Sequence, residues 1–181
     1  MASGSRTIVI SDIHLSDGDE YSSFSPSDSD YLTFLLNAIC DKSFKVDELV
    51  MLGDVFDLWL YPVDVVPSTA EDIIKANGSI KEAIERCVKS IPKVYFMRGN
   101  HDMKVVEKDL ELFVSGGQNK IRLICTDCYK KKHNGMRHFE HGHQADMFNA
   151  EPEEGEDTIG GYPLGYFLTR LTAREQPGIW D

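Results

Sequence analysis

Three short apolar runs, each closed by polar residues and followed by a helix-like stretch, most strongly constrain the fold of this 181-residue chain. The runs are residues 7–10, 49–52 and 94–97. Continuous apolar runs of this length predict strands that are buried on both faces, as in a parallel sheet. Alternation of such strands with helices predicts an α/β fold whose polar strand ends lie at one edge of the sheet.

Helical periodicity and capping signals predict helices after each strand. Ser29 or Asp30 is expected to cap a first helix over residues 31–42. A long helical pattern covers residues 68–90, with Gly78 as a weak point or a break. A third helix is predicted over residues 103–114, where a Ser-Gly-Gly sequence ends it.

The pattern changes after residue 120. Alternation over residues 121–132 predicts antiparallel strand pairs, and residues 136–140 predict a further strand. Residues 162–173 carry aromatic and leucine side chains at helical spacing. Core packing is the favoured interpretation of this helix and of the apolar segment around Trp59.

The charge balance narrows the class of protein. The formal net charge is −11, from 30 acidic and 19 basic residues, which argues against a protein that holds nucleic acid on a broad basic surface. It is compatible with an enzyme that meets phosphates through bound metal ions, because metal ligands are themselves acidic. No signal peptide and no apolar run of roughly 20 residues is visible, so a cytoplasmic protein is expected, with Cys40 and Cys87 buried.

The polar residues that close the strands are of the types that bind transition metals. They are Asp12, His14, Asp54, Asn100, His101 and His141. An extended backbone would place the side chains of Asp12 and His14 on the same side. Carboxylate and imidazole ligands together suit a divalent ion such as Mn²⁺, Fe²⁺ or Zn²⁺. Two such ions that share one carboxylate, with Asp54 as the expected bridge, form a clamp for phosphoryl chemistry.

Each of these residues also has a purely structural interpretation. A helix cap or a turn explains Asp12, a turn explains Gly53-Asp54, and a hydrogen-bonded core position explains His141. Four such elements in this order, each closing an apolar strand, favour a metal site over coincidence.

Four sequence blocks resemble those of the calcineurin-like metallophosphoesterases. The blocks are Asp12-Ile13-His14, Gly53-Asp54-Val55-Phe56-Asp57, Gly99-Asn100-His101-Asp102 and His141-Gly142, and the resemblance covers residues 8–143. It implies a four-layer α-β-β-α sandwich and two divalent metal ions, with manganese the expected metal. By this resemblance Asp12, His14 and Asp54 would hold one ion, and Asp54, Asn100 and His141 would hold the second.

The same resemblance implies a mechanism. A hydroxide that bridges the two ions would attack phosphorus, since metal coordination lowers the pKa of bound water. His101 would not bind metal but would donate a proton to the leaving oxygen as a general acid. Asp57 would hydrogen-bond His101 and favour its protonated form, and Asp102 is the alternative partner.

The residues of these motifs are most similar to those of the UDP-2,3-diacylglucosamine pyrophosphohydrolase group. The similar segments are residues 11–15, 53–59 and 141–146. The phosphoprotein-phosphatase branch would have an arginine after Asp57, where this chain has Leu58. The resemblance therefore implies a phosphorylated small molecule or a lipid-linked nucleotide sugar as substrate, with peripheral contact at the inner membrane face. By this resemblance the Trp59 segment and the helix over residues 162–173 would line an acyl pocket or lie on a membrane surface, as alternatives to the favoured core packing.

One family feature is missing from the sequence. The family closes its site with a late Gly-His-X-His block, and none of the six histidines follows His143. The expectation is a single domain over residues 1–181 that is a fragment ending before this block. The alternatives are that His143 substitutes in part, or that the protein is a non-catalytic or weakly active relative that uses the scaffold for partner binding.

A separate zinc site is disfavoured. Its ligands would be Cys125, Cys128, His133 and His138. The four residues between Cys128 and His133 are too few for the usual zinc-finger spacing.

Overall fold

A four-stranded parallel sheet forms the centre of the fold. The computed structural model describes residues 6–41, 43–114, 120–124, 129–132, 136–152 and 159–175. The strands are β1 (Thr7–Ile10), β2 (Glu48–Leu52), β3 (Lys93–Met97) and β4 (Ile121–Ile124), in the spatial order β1-β2-β3-β4. Each neighbouring pair is parallel. The predicted α/β fold with a parallel sheet is confirmed.

The two central strands are buried on both faces, which explains their continuous apolar sequences. On one face, Leu49 and Met51 of β2 pack in the main core with side chains of the helices α1 (Pro26–Ile39) and α3 (Gly78–Ser90). On the other face, Val50, Tyr95 and Met97 form a smaller cluster. The polar residues that follow β1, β2 and β3 therefore lie at one edge of the sheet, next to this buried core.

The prediction of antiparallel pairing was wrong for residues 121–124 and is confirmed farther along the chain. Strand β4 pairs in parallel with β3, whereas β5 (Tyr129–Lys132) and β6 (Met136–Phe139) form an antiparallel pair. Ile121 is buried and Arg122 is exposed because β4 lies at the edge of the sheet. Alternation of apolar and polar residues indicates that one face of a strand is buried. It does not indicate whether the strand pairs in parallel or antiparallel.

The first helix begins earlier than the sequence predicted. Ser25 rather than Ser29 or Asp30 is its cap, and Ser25 and Asp28 satisfy each other's backbone N–H groups in a capping box. Pro26 occupies the first helical position, where a missing N–H has no cost. The helix ends at Ile39, before the predicted residue 42.

The second helical pattern divides at Asn77, next to the predicted weak point at Gly78. It forms α2 (Ala70–Ala76) and α3. The third helix, α4 (Glu107–Glu111), is much shorter than the predicted residues 103–114. The Asp102 carboxylate accepts a hydrogen bond from the Gly99 N–H at 2.7 Å, and this bond stabilises a turn where the helix was expected to begin.

The last described helix, α5 (Leu164–Thr172), packs on the segment that follows Asp54. Arg170 donates hydrogen bonds to the carbonyls of Pro62 and Val65, and Tyr166 lies edge-on against Trp59. Trp59 is 1% exposed, as the core-packing interpretation predicted. The opposite side of α5 exposes three leucines, at positions 164, 168 and 171. Within the described ranges, no helix has the length and apolar character to cross a membrane.

Candidate metal centre

The loops that follow β1 and β2 are joined by backbone hydrogen bonds. The N–H of Asp12 donates to the Gly53 carbonyl at 3.2 Å, and the N–H of His14 donates to the Asp54 carbonyl at 2.9 Å. Asp12, His14 and Asp54 all have left-handed backbone conformations, with φ of 53°, 51° and 51°. The expectation that Asp12 and His14 lie on an extended segment was therefore wrong. Strained non-glycine residues of this kind cluster at functional sites.

The Asp54 carboxylate lies at the centre of the candidate ligands. It is 3% exposed. Its Oδ1 accepts a hydrogen bond from the His101 N–H at 2.8 Å, while its Oδ2 lies 3.3 Å from Nε2 of His141 and 3.8 Å from Nε2 of His14. One oxygen is thus fixed by the backbone, and the other faces two imidazoles. This is the geometry expected of a carboxylate shared by two ions.

The two imidazoles that face Asp54 are oriented through their other nitrogen atoms. Nδ1 of His141 donates to the Leu52 carbonyl at 3.1 Å, and Nδ1 of His14 lies 3.3 Å from Oδ2 of Asp57. Since a carbonyl only accepts, Nδ1 of His141 carries a proton, and Nε2 is the nitrogen that faces the oxygens of Asp54 and Asn100. Metal-binding histidines commonly have this arrangement, in which the second nitrogen donates to an oxygen.

Ionisation of the site follows from these contacts. Burial lowers the pKa of His14 and of His141, but Asp57 and Asp54 outweigh burial and hold both pKa values above the usual value. Burial raises the Asp54 pKa, but His141 and His101 outweigh it and hold that pKa below its usual value. The carboxylates of the metal-free site are therefore ionised, and their negative charge attracts protons to the imidazoles. The same charge would attract metal cations in place of these protons.

Asn100 reaches the same cluster from the loop after β3. Its Oδ1 lies 3.3 Å from Nε2 of His141, and its Nδ2 donates to Oδ1 of Asn149 at 3.3 Å. The contact with Asn149 leaves the amide oxygen, the expected ligand atom, facing His141. No pattern in the sequence indicated this role for Asn149.

Two sets of side chains in the described part of the chain bring ligand atoms within 4.8 Å of one another. One set is His14, Asp54 and His101, and the other is Asp12, Asp54 and His141. Asp54 belongs to both. The sets differ from the expected division, because Asp12 lies with His141 and because His101, expected to stay off the metals, lies with His14. The carboxylate and imidazole donors present suit the borderline divalent ions.

Asp57 holds His101 as well as His14. Its Oδ1 accepts from Nδ1 of His101 at 2.9 Å and from the backbone N–H groups of Trp59 and Leu60 at 3.1 and 3.0 Å. Burial raises the pKa of Asp57, but His101 and His14 outweigh it and hold the pKa well below its usual range. Asp57 is therefore an ionised acceptor for both imidazoles.

Asp102, the alternative partner of His101, faces the backbone instead. Its carboxylate accepts from the N–H groups of Gly99 and Val55 at 2.7 Å and of Phe56 at 3.3 Å. Burial, with the nearby Asp54 charge, raises its pKa to about 6. Asp102 thus joins the loops after β2 and β3.

The His101 ring is enclosed by two aromatic neighbours. The Trp59 ring stacks on it with centroids 4.6 Å apart and planes inclined by 23°, and the His14 ring meets it edge-on at 4.6 Å. The sequence interpretation placed Trp59 in an apolar insert and missed this contact. The position of Trp59 two residues after Asp57 was the available signal.

At two glycines of the site, another side chain lies too close to leave room for a Cβ atom. A Cβ on Gly99 would overlap the Asp54 carboxylate, and a Cβ on Gly53, where φ is +79°, would lie 2.5 Å from the His141 ring. The φ of Gly99 is not left-handed, so its missing side chain is what the site requires.

His143 lies beside the centre, with its ring centroid 5.3 Å from that of His141, and belongs to neither ligand set within the described ranges. Three residues of the alternative zinc site, at positions 125, 128 and 133, lie outside the described residues. The fourth, His138, pairs with Glu140 at 3.0 Å.

An open cleft of about 510 Å³ borders the centre at Asp12 and His14. Its lining includes the apolar side chains of Phe24, Leu32 and Leu35. A ligand in this cleft would therefore meet both candidate metal ligands and an apolar wall.

A comparison with models of protein families assigns the chain to the same family that its sequence blocks resemble. The fold and the two ligand sets agree with this assignment. The model described as calcineurin-like phosphoesterase matches residues 5–170, and the chain belongs to this family of metal-dependent phosphoester hydrolases. The chain is also similar to curated proteins named UDP-2,3-diacylglucosamine hydrolase. The protein from Vibrio cholerae (El Tor Inaba N16961) is 31% identical over 100 residues, which are 55% of this chain and 34% of that protein. The protein from Stenotrophomonas maltophilia (K279a) is 31% identical over 101 residues, with 56% and 34% covered. The match thus spans about a third of the length of these relatives.

Proposed function

We propose that this protein is a dinuclear metal-dependent hydrolase of phosphoester or diphosphate bonds. The observation that carries the proposal is the position of Oδ2 of Asp54, 3.3 Å from Nε2 of His141 and 3.8 Å from Nε2 of His14. A single buried carboxylate oxygen that faces two oriented imidazoles suits two neighbouring cations. The left-handed backbone at Asp12, His14 and Asp54 supports a binding role. Such conformations cost conformational free energy in residues other than glycine, and they cluster at functional sites.

The proposal follows the family resemblance rather than the grouping of the metal-free side chains. In it Asp12, His14 and Asp54 hold one ion, and Asp54, Asn100 and His141 hold the other. The ions would supply Lewis-acid polarisation of the phosphoryl group and an activated water molecule near neutral pH. Manganese is the proposed metal, on the basis of the mixed oxygen and imidazole ligands. Iron and zinc ions suit the same ligands.

His101 is the proposed general acid. Its Nδ1 is bonded to Asp57, so Nε2 is the atom that would deliver a proton to the leaving oxygen. Asp57 keeps the ring in one orientation and favours its protonated form through a charged hydrogen bond. Trp59 restricts rotation of the same ring.

The proposed substrate is a diphosphate with an apolar substituent, of the class of a lipid-linked nucleotide sugar. The names of the relatives and the apolar wall of the cleft beside Asp12 support this class. A cytoplasmic enzyme that meets its substrate at the membrane surface fits the proposal. Cell fractionation with an antibody against the native protein tests the location.

Metal-reconstituted protein provides the test of function. We expect Mn²⁺-dependent hydrolysis of bis(p-nitrophenyl) phosphate and of UDP-2,3-diacylglucosamine, with activity lost by more than about 100-fold in Asp54→Ala. Glu82→Ala on the exposed side of α3 is the control and keeps activity. Metal analysis that finds fewer than two ions in folded, inactive protein would support the non-catalytic alternative.

A further inference from the structure

Two cysteines from different helices lie side by side in the main core. Cys40 caps the C-terminus of α1, and Cys87 lies in the last turn of α3. Their Sγ atoms are 2.9 Å apart, and both thiols are free. A disulfide bond is about 2.0 Å long, so the two sulfur atoms need to move by less than about 1 Å to form one.

The cysteine pair is remote from the candidate metal centre. Helices α1 and α3 each return the chain from the carboxyl edge of the sheet to the amino edge, where β2 and β3 begin. Cys40 and Cys87 lie near the ends of these helices and therefore at the edge opposite to the metal ligands. A role for this pair is thus independent of the proposed hydrolase activity.

We propose that Cys40 and Cys87 form a modification site, at which exchange with a small disulfide such as glutathione disulfide links α1 covalently to α3. In the first step the Cys40 sulfur attacks glutathione disulfide and releases one glutathione thiolate. In the second step the Cys87 sulfur attacks the Cys40 sulfur of the mixed disulfide and releases the other. One glutathione disulfide is reduced to two glutathione molecules, and two protein thiols are oxidised to one disulfide.

Exposure of the two thiols determines the order of these steps. Cys40 is partly exposed and accessible to the small disulfide, whereas Cys87 is 0% exposed. Burial, together with the neighbouring Cys40 thiol, raises the pKa of Cys87. Because the thiolate is the attacking form, the second step is slow near neutral pH and becomes faster as the pH rises.

The linkage would constrain the unfolded chain. The two cysteines are 47 positions apart, and they connect two helices that pack on the same face of the sheet. A loop of this size is expected to raise the Tm by about 10 °C in a protein of this length.

The intact folded chain is incubated with glutathione disulfide without denaturant, alkylated and digested for mass spectrometry. The expected product is a linked peptide pair that contains Cys40 and Cys87, together with the higher Tm. Dithiothreitol is expected to reverse both. In Cys87→Ala, glutathione is expected to stay on Cys40, and in Cys40→Ser neither the adduct nor the linked pair forms.

Three results from the intact chain would overturn the proposal. They are a glutathione adduct on Cys40 that Cys87 never displaces, a link from Cys40 to Cys125 or Cys128, and persistence of both thiols in excess glutathione disulfide. The peptide map of the intact chain decides the question even if Cys87→Ala fails to fold.

Discussion

Asp12, His14 and Asp54 show how single residues carry the candidate site. Each has a left-handed backbone that costs roughly 1–2 kcal/mol for a residue other than glycine. Backbone hydrogen bonds between the two loops offset this cost. The side chains of Asp12 and His14 then each bring a ligand atom within 4.8 Å of the Asp54 carboxylate. The same convergence makes the site sensitive to changes of one or two atoms.

The close contact between the Gly99 backbone and the Asp54 carboxylate can be tested by adding a methyl group at position 99. Gly99→Ala is expected to lower the free energy of unfolding by about 1–3 kcal/mol and to weaken metal binding, because the added Cβ displaces the Asp54 carboxylate. Urea titration and isothermal calorimetry with Mn²⁺ measure the two effects. Gly78→Ala is the matched control, since its Cβ meets nothing within 4 Å and the residue begins α3. Equal behaviour of the two variants would contradict the prediction.

Replacement of His101 separates proton donation from metal binding. His101→Ala is expected to lower kcat by about 10²–10⁴-fold while two ions remain bound. The loss should be large for an alkyl leaving group and small for p-nitrophenolate, which needs no proton to leave. Loss of one bound ion would instead assign His101 as a ligand, as its proximity to His14 and Asp54 permits.

At the scale of elements, the segment after β2 and helix α5 form one structural unit around His101. Trp59 contacts the His101 ring, Tyr166 contacts Trp59, and Arg170 binds the carbonyls of Pro62 and Val65. Because α5 lies more than 100 residues later in the chain, this support is a tertiary feature. The ring of His101, the proposed general acid, thus depends on a distant helix for its orientation.

Two substitutions of Trp59 test this support. Trp59→Leu is expected to lower kcat by roughly 10-fold with little change in KM, because His101 gains rotational freedom. Trp59→Phe keeps a stacked ring and should recover most of the activity. Steady-state kinetics with the Mn²⁺-loaded protein distinguishes them, and equal kcat values in both variants and the wild type would exclude an orienting role.

Helix α1 provides a test of the observed helix start. Ser25→Ala removes the capping hydroxyl and is expected to lower the free energy of unfolding by about 1 kcal/mol. Ser29→Ala should leave stability unchanged or slightly higher, since residue 29 lies inside the helix and alanine favours helix. Urea unfolding of both variants compares the two starts. A larger loss in Ser29→Ala would restore the start predicted from the sequence.

For the whole molecule, the coupled charges of the centre link stability to pH. In the metal-free protein the pKa values of His14 and His141 are raised, so their stabilising contribution is present below their unfolded value of 6.5 and is lost as pH rises through the folded values. The pKa values of Asp54 and Asp57 are lowered, so their contribution is present above their unfolded value of 3.8 and is lost as pH falls through the folded values.

The free energy of unfolding of metal-free protein is therefore expected to fall as the pH rises from 6.5 through the raised folded pKa values of His14 and His141. Mn²⁺ should reverse this slope, because metal binding requires deprotonated imidazoles and becomes stronger as pH rises. Urea titrations at several pH values, with and without the ion, measure both slopes. His141→Asn should flatten each of them, and unchanged slopes in this variant would argue against the assigned coupling.

The sequence by itself determined the α/β class and the set of ligand-type residues. Continuous apolar runs identify buried strands wherever they lie, and in a parallel sheet their polar ends must meet at one edge. Asp12, Asp54 and Asn100 could be named in advance for this reason, whereas His141 follows β6 of the separate antiparallel pair. Family resemblance then supplied their expected roles.

Only the tertiary structure decided how these residues are held. The choice of Asp57 rather than Asp102 beside His101, the stacking of Trp59 and the contact of Asn149 with Asn100 depend on side-chain directions and on loops far apart in the chain. The parallel direction of β4 and the short α4 were mispredicted for a related reason. The local sequence pattern indicates which side chains are buried and which secondary structure each segment prefers. Long-range packing determines which strands pair and which competing hydrogen bonds form.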